Sequence, residues 1–258
     1  MDTEQGVEYP IQGKPVHYFK ELDSTNTTAM EFASRGAEEG TVIRAGRQLR
    51  GRGRLGRVWE SGLDAGLWFT LILRPRRDSW FVAQVTLLAA VAVAETLRGT
   101  CGVRAMIKWP NDVIVDGKKI CGILSEMRLN ETGTEYAIVG IGINVNLAQS
   151  DLSDELKEKA TSILIESGSR ADSDLILGKF LESFEKWYNL WQVSGFSRIR
   201  EKWIEYNGTL GRPVLVKDDD QVICEGMATG ISEYGSLQVQ AKDGTLQEFD
   251  FGEISIRF

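Results

Sequence analysis

One histidine and three cysteines among 258 residues remove several chemistries at the outset. His17 stands alone, so a two-histidine metal site is excluded and a Ser/His/Asp hydrolase would have to be built on it. Its surroundings are those of an ordinary strand residue. Cys101, Cys121 and Cys224 are far apart, odd in number and never in a CxxC spacing. They suggest neither a disulfide framework nor a zinc site, and they fit a reducing cytoplasm. No metal ligands can be named. The longest apolar stretch, Val82 to Ala94, is interrupted by Gln84 and Thr86 and is too short to span a membrane. Met1 to Gly13 has no basic stretch leading into an apolar one, so it does not read as a signal peptide. With a net charge of −7, the chain is a poor general binder of nucleic acid.

What remains is an ordinary globular balance, 42% hydrophobic and 26% charged, enough for one large domain and a small appendage. Val16 to Leu22 predicts a strand, Thr27 to Arg35 a helix ended by Gly36, and Thr41 to Ala45 a strand. Leu67 to Leu73 predicts a strand buried on both faces, and Trp80 to Leu97 a broad apolar helix. Strands follow at Ala105 to Trp109, Lys119 to Arg128 and Tyr136 to Val145, with Asp116-Gly117 as a hairpin turn. Residues 151 to 170 are polar and irregular or helical. Asp174 to Trp191 and Ile199 to Tyr206 are helical in pattern. After Gly208, short strands at Pro213 to Lys217, Val222 to Ile231, Ser236 to Gln240 and Thr245 to Phe249 predict a small β-module.

Between Arg44 and Arg57 lie six arginines and no acidic residue. The segment from Gln48 to Arg57 is too rich in Gly and Arg to predict regular structure. Arginines 50, 52, 54 and 57 repel one another unless solvated or neutralised by an anion, and their forks suit phosphate oxygens. Glycines 51, 53 and 56 permit close approach and positive φ. The segment lacks the Lys-Ser/Thr ending of a Walker loop. Alone it supports an anion site, a solvated basic loop or an RGG-like nucleic-acid segment.

Four ordered motifs narrow this. Asp23-Ser24-Thr25-Asn26, then Gln48, then Gly51 to Trp59, resembles the signature of biotin protein ligases. So do Lys108-Trp109-Pro110-Asn111-Asp112, Lys118-Lys119-Ile120-Cys121-Gly122-Ile123-Leu124, and Gly140-Ile141-Gly142-Ile143-Asn144-Val145-Asn146. The resemblance is strong over Phe19 to Asn146 and looser after Gly208, where Gly252-Glu253-Ile254-Ser255 belongs to it. It implies an α+β fold. A mixed, mainly antiparallel sheet with helices packed on it, of the class II synthetase type, would form a catalytic biotin/ATP-binding domain over residues 1–208. A small SH3-like β-barrel would occupy 209–258.

The implied activity is ATP-dependent formation of biotinyl-5′-AMP, then transfer of biotin to a lysine of a biotin carboxyl carrier protein. Ser24, Thr25, Asn26 and Gln48 would meet the ureido ring. Gly51, Arg52, Gly53, Arg54 and Arg57 would close on phosphates and the biotin carboxylate as a mobile lid, and Trp59 would pack toward adenine. Lys108 and Asn111 would serve the phosphate region, and Asp112 would orient or deprotonate the carrier lysine. Lys119 ranks first for chemistry, because an ammonium between carboxylate and α-phosphate stabilises the transition state. Arg54 and Asp112 complete the catalytic set. Lys118 falls on the opposite strand face. Gly122 would leave room for ligand, and Asn144 would read adenine or ribose. Mg2+ should accompany ATP, held mostly by phosphates and water. Cys121 stands where a small residue such as Ala is common in the family, and Arg50 where a small residue is frequent.

Some members carry a helix-turn-helix domain, but only about twenty residues precede Asp23, so no DNA binding is expected. Both a monomer and a homodimer paired through a sheet edge remain open. A lipoate or octanoyl transferase of the same fold, and a non-catalytic nucleic-acid module, are the competing readings.

Overall fold

The computed structural model describes residues 7–59, 62, 65–75, 81–130, 133–218, 221–250 and 253–256. Two sheets dominate. The larger is built from β1 (Val7–Ile11), β2 (Lys14–Leu22), β3 (Val42–Gln48), β4 (Gly66–Leu73), β5 (Met106–Lys108), β6 (Asp112–Val115), β7 (Lys118–Asn130) and β8 (Gly133–Asn144). Its eight strands run β1-β2-β3-β4-β8-β7-β6-β5, and only β2 and β3 pair in parallel.

Alternation along the central strands divides the residues between two layers. On β4, Leu67, Phe69, Leu71 and Leu73 join the main core, whereas Ile72 belongs to a second cluster with Ala29 and Ala33 of α1 (Thr25–Ser34). The main-core face is covered by α2 (Phe81–Cys101) and α5 (Ser173–Ser194), and α6 (Ser197–Glu205) packs against both helices. The other face carries α1 and, beside it, an open cleft. Two short helices, α3 (Asp154–Lys157) and α4 (Ile163–Ser167), lie in the connection expected to be irregular or helical.

Helix α2 is longer than its apolar run suggested, and Trp80, its expected start, lies outside the described residues. Residues 82–101 are long and apolar enough by length and composition to cross a membrane, a property that the sequence reading had excluded on residues 82–94 alone. Leu87 to Ala94 are nevertheless all buried at 1% exposure or less, and a helix apolar all round is what a core position requires.

Sequence periodicity missed two strands. β1 forms a hairpin with β2 through Gln12 and Gly13, both at positive φ, and its half-exposed residues carry little apolar signal. β13 (Glu253–Ile256) pairs with β9 (Pro213–Asp218). With β10 (Gln221–Ile231), β11 (Leu237–Ala241) and β12 (Leu246–Phe249) they form an antiparallel sheet ordered β12-β11-β10-β9-β13. The turn at Asp116-Gly117 has positive φ at both residues, as a two-residue hairpin requires.

The small sheet shares the main core: Val214, Val216, Ala228, Ile231, Leu237 and Val239 belong to the same contiguous cluster as α2. Trp109, 2% exposed, fastens the two sheets. Its indole Nε1 donates to the Gly235 carbonyl at 3.0 Å, and its backbone N–H donates to Thr209 Oγ1 at 3.0 Å. Replacing Trp109 with Phe leaves the Gly235 carbonyl without this donor and opens a gap beside it. Urea unfolding should then show a loss of about 2–3 kcal/mol, and a loss within error of zero would remove Trp109 from this role.

Candidate functional site

The cleft on the α1 side has a volume of about 820 Å³. Ser24, Thr25, Asn26, Gln48, Arg52, Gly53, Arg54, Arg57, Trp59, Lys108, Asn111, Asp112, Lys119, Gly122 and Asn144 all line it. Gly51 alone of the predicted residues does not. A side chain there would meet the Trp59 carbonyl at 2.3 Å, so backbone packing by itself requires glycine at this position.

Sheet register orders the cleft from end to end. On the cleft face, Thr70 pairs with Gly140, Trp68 with Gly142 and Gly66 with Asn144. On the next strand, Leu124 pairs with Gly140 and Gly122 with Gly142. At the first end, Thr70 Oγ1 lies 2.7 Å from Asn26 Oδ1 and 2.8 Å from Thr25 Oγ1. The Thr25 backbone N–H donates to Gln48 Oε1 at 2.9 Å. Gln48 thus caps the start of α1, and the Ser24 side chain makes no capping bond although Ser24 is the N-cap residue. Asn26 Nδ2 reaches Glu126 Oε2 at 2.7 Å, and the same carboxylate accepts from Arg52 at 3.0 Å.

In the middle, Trp59 lies over paired glycines. A Cβ at Gly122 would come within 2.7 Å of the indole, and one at Gly142 within 2.8 Å. Gly122, expected to leave room for ligand, and its pair Gly142 first of all leave room for Trp59. Lys119 Nζ stands 5.1 Å from the Trp59 ring centroid and 2.6 Å from Asp112 Oδ1. Asp112, expected to serve an incoming lysine, therefore also holds the lysine of its own chain. Arg54 donates to Asn111 Oδ1 at 3.3 Å, and Asn111 Nδ2 donates to the Ile123 carbonyl at 2.8 Å.

Strict alternation would put Lys119 and Gly122 on opposite faces. A β-bulge resolves this: on β6, Val113 pairs with Cys121 but Ile114 pairs with Lys119, leaving Ile120 as the extra residue. Ile120 is wholly buried in the main core, and Lys119 is thereby turned into the cleft. Lys118 points elsewhere, its Nζ donating to the Lys157 carbonyl at 2.7 Å.

At the far end, Asn144 Nδ2 donates to the Thr161 carbonyl at 2.9 Å. Leu147, Leu152, Leu156 and Ala160 add an apolar wall, and the 159–161 backbone exchanges hydrogen bonds with Lys119. Sequence reasoning missed this wall, because its leucines sit in a polar connection. It also missed Thr70 and Glu126, of which Thr70 was discernible as the one polar residue in the apolar run Leu67 to Leu73.

The glycine–arginine segment is more regular than its composition predicted. Arg52 and Val58 form an antiparallel bridge, Gly53 N–H donates to the Arg57 carbonyl at 2.7 Å, and a 3-10 turn spans Arg54–Gly56. Leu55 and Gly56 take positive φ to close it. The mutual repulsion read from the sequence is also moderated: Arg50 pairs with Asp23 at 3.4 Å and Arg52 with Glu126.

Comparison with known proteins bears on this geometry. The Biotin/lipoate A/B protein ligase family profile matches residues 18–144, and that of the Biotin protein ligase C terminal domain matches 209–257. The chain is similar to the Bifunctional ligase/repressor BirA of Bacillus subtilis, with 38% identity covering 93% of this chain and 73% of that one. It is 34% identical to the Biotin--[acetyl-CoA-carboxylase] ligase of Paracoccus denitrificans, covering 86% of this chain and 92% of that one. The solved biotin protein ligase from Aquifex aeolicus in complex with biotin and ATP superposes with a TM-score of 0.80 at 31% identity. That match covers 94% of this chain and 98% of the other.

Cys121 sits directly behind the Lys119–Asp112 pair, with no exposed surface. Burial pushes its thiol far above the ordinary range, and the opposing influences of Lys119 and Asp112 do not reverse this. A thiol-specific reagent at pH 8 should therefore label half-buried Cys101 first and Cys121 only after denaturation. Rapid native labelling of Cys121 would show that the cleft floor opens.

Proposed function

The chain belongs to the biotin protein ligase family and is a ligase, and from that premise we propose that it joins biotin to ATP as biotinyl-5′-AMP and then passes biotin to a lysine of a biotin carboxyl carrier protein. The observation that carries this is the Lys119 ammonium, held by Asp112 between a hydrogen-bonding end formed by Ser24, Thr25, Asn26 and Gln48 and an end walled by leucines. Biotin's ureido ring suits Ser24, Thr25, Asn26 and Gln48. Its valerate would run toward Lys119, and adenine would suit the wall of Leu147, Leu152, Leu156 and Ala160 beside Asn144 and Trp59.

In the first step a biotin carboxylate oxygen attacks the α-phosphorus and pyrophosphate leaves. Negative charge grows at the α-phosphate oxygens, and an ammonium already fixed by Asp112 stabilises it without reorganising. Arg52, Arg54, Arg57 and Lys108 supply further cationic groups for the phosphates. In the second step the neutral amine of the carrier lysine attacks the mixed anhydride and AMP leaves. Asp112, which also pairs with Lys119, would orient that amine or accept its proton.

ATP enters as its magnesium complex. Among the described residues no group of three or more His, Cys, Asp or Glu side chains could hold a metal. Within the cleft, Asp112 is engaged by Lys119, and Asp151 by Ser150 and the Ala148 backbone. These described residues do not form a cage for the ion, and phosphates and water would hold it.

The test is pyrophosphate release driven by biotin, followed by labelling of a carrier domain. Release with lipoate in place of biotin would overturn the substrate assignment. Lys119→Ala should slow adenylate formation by about 10²–10³-fold, with the fold unchanged by circular dichroism. Near-normal adenylation would remove Lys119 from its role.

A further inference from the structure

We propose that Glu126 and Thr70 are positioning residues that fix the Asn26 amide as a hydrogen-bond acceptor for a ureido N–H of biotin. This rests on the reading that the Asn26 end of the cleft receives the ureido ring.

An asparagine amide carries two N–H donors and an oxygen with two lone pairs. Asn26 Nδ2 lies 2.7 Å from Glu126 Oε2 and 3.2 Å from the Leu124 carbonyl. A carboxylate and a backbone carbonyl can only accept, so the nitrogen must face them and both its donors are occupied. On the other side the Thr70 hydroxyl donates to Asn26 Oδ1 at 2.7 Å. Asn26 therefore has no N–H left for a ureido carbonyl, and its oxygen keeps one lone pair for a ureido N–H. The carbonyl of the ring falls to a donor instead, and the Ser24 hydroxyl, which caps no backbone N–H, is suited to it.

The amide is packed closely against the sheet. A Cβ on Gly140 would come within 2.0 Å of Asn26 Oδ1, so the side chain lies directly on the β8 backbone. Thr70 is wholly buried on β4, and Asn26 is only 4% exposed.

Glu126 does a second thing. Its carboxylate also accepts from Arg52, at 3.0 and 3.3 Å, and so joins the reader of the ring to the arginine segment that crosses the cleft. This ion pair is partly exposed, with side chains 43% and 30% accessible, and pairs of that kind contribute little by themselves. The contact to buried Asn26 is the stronger half, and that predicts the order of the variants.

The experiment is steady-state pyrophosphate release by the full chain, with biotin and ATP varied separately. Glu126→Ala is expected to raise the KM for biotin about tenfold or more, with the KM for ATP and kcat each within about twofold. Glu126→Gln keeps an oxygen for Asn26 but loses the ion pair, and should recover most of the defect. Thr70→Val has nearly the same shape, leaves Arg52 untouched, and should reproduce the biotin effect. An unchanged biotin KM in both Glu126→Ala and Thr70→Val overturns the proposal. So does a parallel rise in both KM values, which is what general damage to the fold produces. If Glu126→Ala does not fold, Thr70→Val decides alone. A wild-type chain that releases no pyrophosphate with biotin overturns the functional reading itself, whereas flat variants of an active wild type overturn only the roles given to Glu126 and Thr70.

Discussion

Three side chains are missing from the cleft face of β7 and β8, and the positions of the groups above them follow from that. Gly140 receives the Asn26 amide, and the paired Gly122 and Gly142 receive the Trp59 indole, each closer than a Cβ would allow. α1 can therefore bring its first turn down onto the sheet, and the arginine segment ending at Trp59 can lie across it. A methyl group at any of the three would lift one of these parts, and overpacking of this kind is destabilising as well as disruptive of geometry.

The second constraint is the extra residue at Ile120. A sheet side chain points where the pleat sends it, and a one-residue change of phase reverses the face. The bulge permits Lys119 to share a face with Gly122, although the two are an odd number of residues apart. Backbone hydrogen bonds from Lys119 to the 159–161 segment hold that change of phase in place, and they carry the leucine wall with it. The ammonium, its Asp112 partner and the apolar end of the cleft are consequently one mechanical unit.

Much of this was legible in the sequence where periodicity or turn chemistry was strong. The fully buried β4, the broad helix α2, the amphipathic α5 and the Asp116-Gly117 turn followed from spacing and residue type. The site residues came from motifs, and all but Gly51 line one cleft. What escaped depended on pairing across the sheet. β1 shows its strand character only against β2, Thr70 matters only because Asn26 lies above it, and Glu126 only because both Asn26 and Arg52 converge on it. The bulge is invisible to alternation, and alternation applied literally would have turned Lys119 away.

A strand that must present glycines to a ligand cleft needs its stability from somewhere else. Glycine in a strand costs about 0.5–1 kcal/mol relative to alanine, and a fully buried Ile or Val contributes about 1.5–3 kcal/mol. On β7 and β8 the residues flanking the glycines are Cys121, Ile123, Val139, Ile141 and Ile143, each at most 3% exposed against the main-core helices. Each such residue outweighs the glycine beside it. The two faces of the same strands thus carry separate burdens: one anchors the sheet to α2, which frees the other to be bare where Trp59 and Asn26 must come close. The same division explains why α2 is apolar all round from Leu87 to Ala94 and why Cys121, one residue from the cleft floor, behaves as core.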